Sequence, residues 1–314
     1  MSLQRALELA ERGRGEVEHT HPLVGAVLER GGEVVGKGWY AGSGSPHAEV
    51  MAIEEAGERA LGATLFVTLE PCAHEGRTPP CADAVMAAGV ARVVAAAQDP
   101  NPKVDGRGFA RLRAAGVEVE VVDLWEARRQ NEEWRVWISQ GRPFVTYKVA
   151  TTLDGRVTVP GSRWVSSEES RRRVHELRAA ADAVAVGMGT VRADHPALTA
   201  RGVEVDTQPR RLAFGRGPLP EGSELELRSG PLEEELGALA GEGVRSLLLE
   251  GGPTLAASFL TAELVDKVLV FVAPTLVGEG AGPVAALPAP RVLRRLTAEP
   301  VGEDVLLTAY LHEP

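Results

Sequence analysis

The chain has 314 residues, a formal net charge of −10, and 44% apolar against 25% charged residues. That length accommodates two domains of ordinary size, each with its own core. The acidic balance argues against general nucleic-acid binding, which needs a basic footprint, and no apolar run is long enough to cross a membrane. Leu3, Ala6, Leu7 and Ala10 follow helical spacing, and this opening lacks the apolar stretch of a signal peptide. Gly13 ends that helix. Leu23 to Leu28 reads as a buried strand, and Gly31-Gly32 as a hairpin turn into a partner strand starting at Glu33.

Pro46 precedes an apolar-periodic run of Val50, Ile53 and Ala56, which predicts His47 and Glu49 in the first turn of a helix. Thr64 to Leu69 is a strand that delivers Pro71-Cys72, and Pro79-Pro80 marks a second helix start at Cys81. A thiol at a helix N-terminus has a lowered pKa, as a metal ligand needs. Cys72 and Cys81 are the only cysteines, so none is left for disulfides, and a reducing cytoplasm is expected. One imidazole (His47) and two thiolates suit Zn²⁺, and three protein ligands leave a fourth position for water. Glu49 is the nearby carboxylate that can shuttle protons, the arrangement of the zinc deaminases. The alternatives are a chance buried pair of cysteines, or a closed structural zinc site with His74 as fourth ligand.

Farther on come a strand at Arg92–Ala97, a helix around Leu112 and a strand at Val117–Val122, so the first half has an α/β order. Asp99-Pro100-Asn101-Pro102 follows a strand end, where α/β sheets bind ligands. The flanking prolines preorganise Asn101, although a plain tight turn gives the same pattern. Leu124 to Gln140 reads as one Trp-rich helix that packs between domains or between subunits of a homo-oligomer. Gly141-Arg142-Pro143 breaks it and sets the expected domains at 1–141 and 142–314.

The second half restarts with the strand Phe144–Ala150. Ser167 is placed to cap a helix running through Arg178. Strand Ala183–Val186 leads into Gly187-Met188-Gly189-Thr190. Strand Ser246–Leu249 leads into Glu250-Gly251-Gly252-Pro253-Thr254 and a further helix. Two strand–glycine–helix junctions suit a dinucleotide pyrophosphate, but each glycine pair is equally readable as a turn.

Eight residues separate Cys72 from Cys81, where most zinc deaminases have Pro-Cys-x-x-Cys. That segment resembles the pyrimidine deaminase of riboflavin biosynthesis, which is commonly fused to a reductase. Lys148-x-Ala150-x-x-Leu153-Asp154-Gly155, Ser162-x-Trp164, Gly189-Thr190-Val191-x-Ala193-Asp194 and Glu250-Gly251-Gly252 resemble the reductase half, in order. The resemblance spans nearly the whole chain. It implies an α/β fold with a cytidine-deaminase-like three-layer α/β/α domain followed by a dihydrofolate-reductase-like α/β domain.

It also implies one zinc ion per chain and NADPH as cofactors. The activity implied is deamination of a phosphorylated diaminopyrimidine, then reduction of its ribosyl group to ribityl. By the same resemblance, Arg77, Asp99, Asn101, His74 and His21 would contact the deaminase substrate. His21 stands where the family carries Asn. Ala150, Trp164, Thr190, Asp194 and the segment from Gly252, Pro253 and Thr254 would line the cofactor. Ser162, Arg178, Leu198, Arg201 and Glu250 would face the reductase substrate, with Arg178 and Arg201 as bidentate phosphate ligands. Lys148 and Glu250 would stand nearest the reacting ribose carbon. His195 also replaces a usual Asn, and the segment from Gly215 to Gly230 leaves little room for the family's strand and helix. Gly215-Arg216 stands where the family usually has Asp and then a small polar residue, after Leu212-Ala213-Phe214, which makes Arg216 the expected reader of the 2′-phosphate. Rival readings are a zinc deaminase of nucleosides or tRNA with an unrelated appendage, and a catalytically dead zinc-stabilised ligand-binding protein.

Overall fold

The computed structural model describes residues 2–17, 20–74 and 79–314. The chain divides into two compact units at residues 140 and 141. The first contains α1 (Ser2–Ala10), β1 (Gly25–Arg30), β2 (Glu33–Trp39), α2 (Ala48–Ala56), β3 (Thr64–Val67), α3 (Cys81–Ala87), β4 (Arg92–Ala95), α4 (Arg107–Ala114), β5 (Glu118–Val121), α5 (Trp125–Gln130) and α6 (Glu132–Gln140). Its strands are ordered β2-β1-β3-β4-β5. The β1–β2 and β1–β3 pairs are antiparallel, and β3–β4 and β4–β5 are parallel. Gly31 and Gly32 both have positive φ, 59° and 86°, as a tight hairpin turn demands.

Alternation along β1 sorts the layers. Ala26 and Leu28 face a core with Ala48, Ala52, Val85 and Leu112, from α2, α3 and α4. Val27 faces the opposite side, against Ala6 and Leu9 of α1. The close approach of α2 depends on two glycines of β2. A Cβ at Gly36 would lie 2.0 Å from the Ala52 carbonyl oxygen, and one at Gly38 would lie 2.1 Å from that of Ala48. Only glycine lets the helix sit this low on the strand, and the start of that helix carries His47 and Glu49.

The expected single Trp-rich helix is two helices, α5 and α6, broken at Asn131. Asn131 is buried, and its side chain accepts from the Leu23 amide (2.7 Å) and donates to the Leu23 carbonyl (2.9 Å). Trp134 packs with Leu7, Leu69, Ala96 and Ala127. The segment therefore contributes to the first unit's own core.

The second unit contains β6 (Phe144–Thr152), α7 (Glu168–Ala180), β7 (Ala183–Gly187), α8 (Met188–Asp194), β8 (Arg210–Phe214), β9 (Glu226–Arg228), α9 (Leu232–Gly241), β10 (Ser246–Leu249), α10 (Pro253–Thr261), β11 (Lys267–Ala273), β12 (Arg294–Val301) and β13 (Asp304–Tyr310). They form one sheet ordered β12-β13-β11-β6-β10-β7-β8-β9. It is parallel from β11 through β9, and β13 and β12 are added antiparallel. β10 is buried throughout, as a strand covered on both faces should be. The short segment after β8 does hold a strand, the three-residue edge β9. Arg228 anchors it through ion pairs with Glu235 and Glu242 on and just after α9. Among the described residues no helix is long and apolar enough to cross a membrane.

A buried ion pair closes the start of this unit. Arg142 meets the Asp266 carboxylate through two bonds of 2.7 Å, and the same carboxylate accepts from the Val145 amide at 2.8 Å. Asp266→Ala would leave a buried guanidinium without its counter-ion. We expect this variant to lose about 3–5 kcal/mol of stability, read from denaturant unfolding of the full chain. A loss below about 1 kcal/mol, the range of exposed pairs, would show that water reaches Arg142.

Candidate active sites

His47 is the N-cap of α2, Cys81 is the first residue of α3, and Cys72 follows the end of β3. These three local positions converge. His47 Nδ1 is 3.0 Å from Cys81 Sγ and 3.7 Å from Cys72 Sγ, and all three donor atoms lie within 4.8 Å of one another. Donors roughly 2.0–2.3 Å from a tetrahedral zinc stand roughly 3.3–3.8 Å apart, so the set fits that ion. His74 is not part of this cluster; among the described residues the cluster has three ligands. Three protein ligands would leave a fourth position on a bound zinc for water.

The acid–base character of the cluster follows from its packing. A hydrogen bond from Cys81 and another from His47 hold Cys72 down to about 4, against the effect of burial. The same contact with Cys72, together with burial, pushes Cys81 up. Glu49 is 3% exposed. Burial, and then the neighbouring Cys72 charge, raise it to about 7. A carboxyl poised near neutrality can both accept and return a proton.

A cavity of about 550 Å³ opens over these groups, lined also by His21, His74, Asp99 and Asn101. Arg77 lies outside the described residues. Asp99 is raised to about 7 by burial, partly offset by the Asn101 amide, which donates to it at 2.8 Å. Asn101 in turn accepts from the Lys103 amide at 3.0 Å, so side-chain bonds reinforce the two prolines of this loop. Three wall residues escaped the sequence reading. Tyr40 sits between His21 and His47, with ring centroids at 5.7 and 5.5 Å, and Trp134 and Ile138 of α6 close one side. Tyr40 follows a strand and Trp134 lies more than fifty residues from every ligand, so no local spacing marks either.

In the second unit, β6 and β10 are neighbours, and they bring Lys148 to Glu250 at 2.9 Å. Arg178 of α7 meets the same carboxylate with Nε at 2.6 Å and Nη2 at 2.9 Å, and donates to the Thr199 carbonyl at 3.2 Å. Burial alone would raise Glu250, but Lys148 and Arg178 prevail and hold it down to about 2. The Arg178 fork, expected to grip a phosphate, is thus turned onto Glu250. A carboxylate this deeply buried needs both cations. Leu198, expected to face substrate, buries its side chain with Val184, Val186 and Val191 at φ 54°, so its backbone is what remains to meet a ligand. Arg201 is exposed, and its amide reaches His175 Nδ1 at 3.3 Å.

The two glycine junctions lie side by side. A Cβ at Gly252 would be 3.4 Å from Thr190 Oγ1, and Leu255 of α10 packs against both Gly187 and Gly251. Pro253 and Thr254 open α10, with proline at the position it favours. Ala150 follows Lys148 by two residues on β6 and so shares its face. Asp194 ends α8, and His195 caps it in the left-handed region at φ 44°, where Asn and His are both tolerated. Trp164 is 51% exposed between the Arg163 and Arg171 guanidiniums, 5.0 and 5.1 Å from its ring. Ser162 bonds the Trp164 backbone in both directions. Arg216 follows β8, and its carbonyl accepts from Arg192 of α8 at 2.9 Å.

Residues 1–97 match the family model of the cytidine and deoxycytidylate deaminase zinc-binding region, and residues 143–307 match that of the RibD C-terminal domain. The riboflavin biosynthesis protein RibD of Aquifex aeolicus is 40% identical, over 97% of this chain and 96% of its own length. The RibD protein of Escherichia coli is 38% identical, over 97% of each chain. Among solved structures, Acinetobacter baumannii RibD superposes with a TM-score of 0.80 at 35% identity, covering 98% of this chain and 97% of its own. A Thermotoga maritima diaminohydroxyphosphoribosylaminopyrimidine deaminase/5-amino-6-(5-phosphoribosylamino)uracil reductase matches with a TM-score of 0.78 at 32% identity, over 98% and 97%. The chain belongs to the RibD family of riboflavin biosynthesis proteins, with a zinc-binding deaminase region followed by a reductase domain.

Proposed function

We propose that the two units catalyse consecutive steps on one phosphorylated pyrimidine. The first unit hydrolytically deaminates a diamino-phosphoribosylamino-pyrimidinone. The second reduces the ribosyl group of 5-amino-6-(5-phosphoribosylamino)uracil to ribityl with NADPH. The Thermotoga maritima relative carries both activities in its name. The observation that carries the reading is the converged His47, Cys72 and Cys81, with buried Glu49 at the floor of the cavity.

His47, Cys72 and Cys81 would hold zinc, which when bound activates water for attack. Glu49 takes the proton of that water and delivers one to the departing amino group. Asp99 and Asn101 hold the pyrimidine ring, His74 and His21 the remaining polar groups, and Arg77 its phosphate side. In the second unit Ala150, Trp164, Thr190, Asp194, Gly252, Pro253 and Thr254 would hold NADPH, which supplies the hydride. Ser162, Arg201 and the Leu198 backbone position the phosphorylated substrate. Glu250, held ionised, cannot donate a proton; Lys148 beside it is the donor the site offers, and Arg178 keeps Glu250 charged. We further propose a cytoplasmic location and a homo-oligomer. The exposed outer strand β12 supports the latter, because it leaves a sheet edge open to pairing.

Glu49→Gln should keep about one zinc per chain and lose ammonia release by about 10²–10⁴-fold, the usual worth of a positioned proton carrier. Loss of zinc from that variant would place Glu49 among the ligands and overturn its assigned role.

Arg216→Ala tests the cofactor. A charge-assisted contact of about 1.5–3 kcal/mol corresponds to a Kd for NADPH raised about 10- to 150-fold, with NADH barely affected. Equal weakening of both cofactors would indicate a folding effect, and no weakening would remove Arg216 from the site.

A further inference from the structure

Glu70 is a buried carboxylate that neither proposed reaction uses. It is 3% exposed, lies two residues before Cys72, and touches the cavity. Its bonds go to four backbone amides. Oε1 accepts from Gly108 (2.8 Å) and Phe109 (3.4 Å), and Oε2 accepts from Gly106 (2.9 Å) and Asp99 (3.3 Å).

Capping α4 explains three of these bonds. The N-cap residue of that helix is Gly106, which has no side chain to do the work, and a carboxylate suits the free amides and dipole there. A local Ser or Asp would cap equally well. Here the cap comes instead from a residue 36 positions earlier, on the segment that carries a metal ligand. Its fourth bond leaves the helix altogether and fixes the amide of Asp99.

The surroundings point the same way. A Cβ at Gly108 would lie 2.0 Å from the Pro71 carbonyl oxygen, so the start of α4 rests directly on the residue before Cys72. Arg111 of α4 reaches the Ala73 carbonyl at 3.4 Å and Asp83 at 2.9 Å. Ala73 follows Cys72, and Asp83 lies in the first turn of α3, two residues past Cys81. Helix α4 is therefore a plate in contact with both thiolate-bearing segments, and Glu70 joins that plate to the Asp99–Asn101 loop.

We propose that Glu70 is a positioning residue of the deaminase site, setting the distance between the metal ligands and the Asp99–Asn101 loop that would grip the pyrimidine. This rests on the deaminase reading above. Glu70→Gln keeps the shape but replaces one acceptor oxygen with an NH₂ donor; with the remaining oxygen on Gly108 and Phe109, the bonds to Asp99 and Gly106 fail while those two bonds to α4 persist. We expect KM for deamination of the diaminopyrimidinone phosphate to rise about 10- to 100-fold, on the scale of one charge-assisted hydrogen bond. The value of kcat should stay within about threefold, zinc should remain at about one per chain, and the reductase constants should not change. Glu70→Asp, which keeps the charge on a shorter arm, should show an intermediate KM. In an Asp99→Ala background Glu70→Gln should add much less than it does alone, since the positioned group is already gone.

A residue that only stabilises α4 predicts a different pattern: unaltered KM in both variants, or additive effects with Asp99→Ala. Either result overturns the proposal, as does loss of zinc together with kcat at unchanged KM. Wild-type protein is the control for the underlying reading. If it does not deaminate the pyrimidine, the deaminase assignment itself fails, whatever Glu70 does.

Discussion

Zinc chemistry requires three soft donors within a few ångströms of one another, and a protein must bring helix starts and a strand end to one point to supply them. In the first unit this is a matter of backbone contact. Gly36 and Gly38 let α2 rest on β2, which places His47 and Glu49, and Gly108 lets α4 rest on Pro71, next to Cys72. A methyl group at any of the three would push a ligand-bearing segment outward. Because interiors are close-packed, such a shift has nowhere to dissipate.

The second unit solves an analogous problem with charge. Glu250 directly follows a fully buried strand, where an unpaired carboxylate would be costly. Lys148 from the neighbouring strand and Arg178 from α7 share it. The result is a carboxylate held ionised beside an ammonium group, next to two glycine junctions that face each other across adjacent strands. The chemical roles of the three residues are unequal for a physical reason: three bonds from the two cations are spent on keeping one anion in place.

What the sequence made readable was mostly local. The His-x-Glu before an apolar helix, and cysteines after a strand and at a helix start, encode the zinc cluster within thirty-five residues of chain. Buried strands such as Ser246–Leu249 stand out because both faces are covered and every side chain is apolar or small. What escaped was set by partners distant in sequence. Asn131 breaks the Trp-rich helix because it bonds Leu23, 108 positions away. Arg178 turns to Glu250, 72 positions away, rather than toward a phosphate. Glu70 reads as an ordinary acidic residue until α4 and the Asp99 loop are seen to converge on it. Edge strand β9 was missed because three residues carry no period, and its anchoring ion pairs come from α9.

The central claim is that one chain carries two sites acting in sequence on one substrate. The most direct measurement incubates the purified full-length protein with the diamino-phosphoribosylamino-pyrimidinone, with and without NADPH, and follows the products by mass. Without NADPH, the account predicts only replacement of an amino group by oxygen, with ammonia released. With NADPH, it predicts the same replacement followed by the gain of two hydrogens. Gain of hydrogens without ammonia release, or no mass change under either condition with zinc bound, would contradict it.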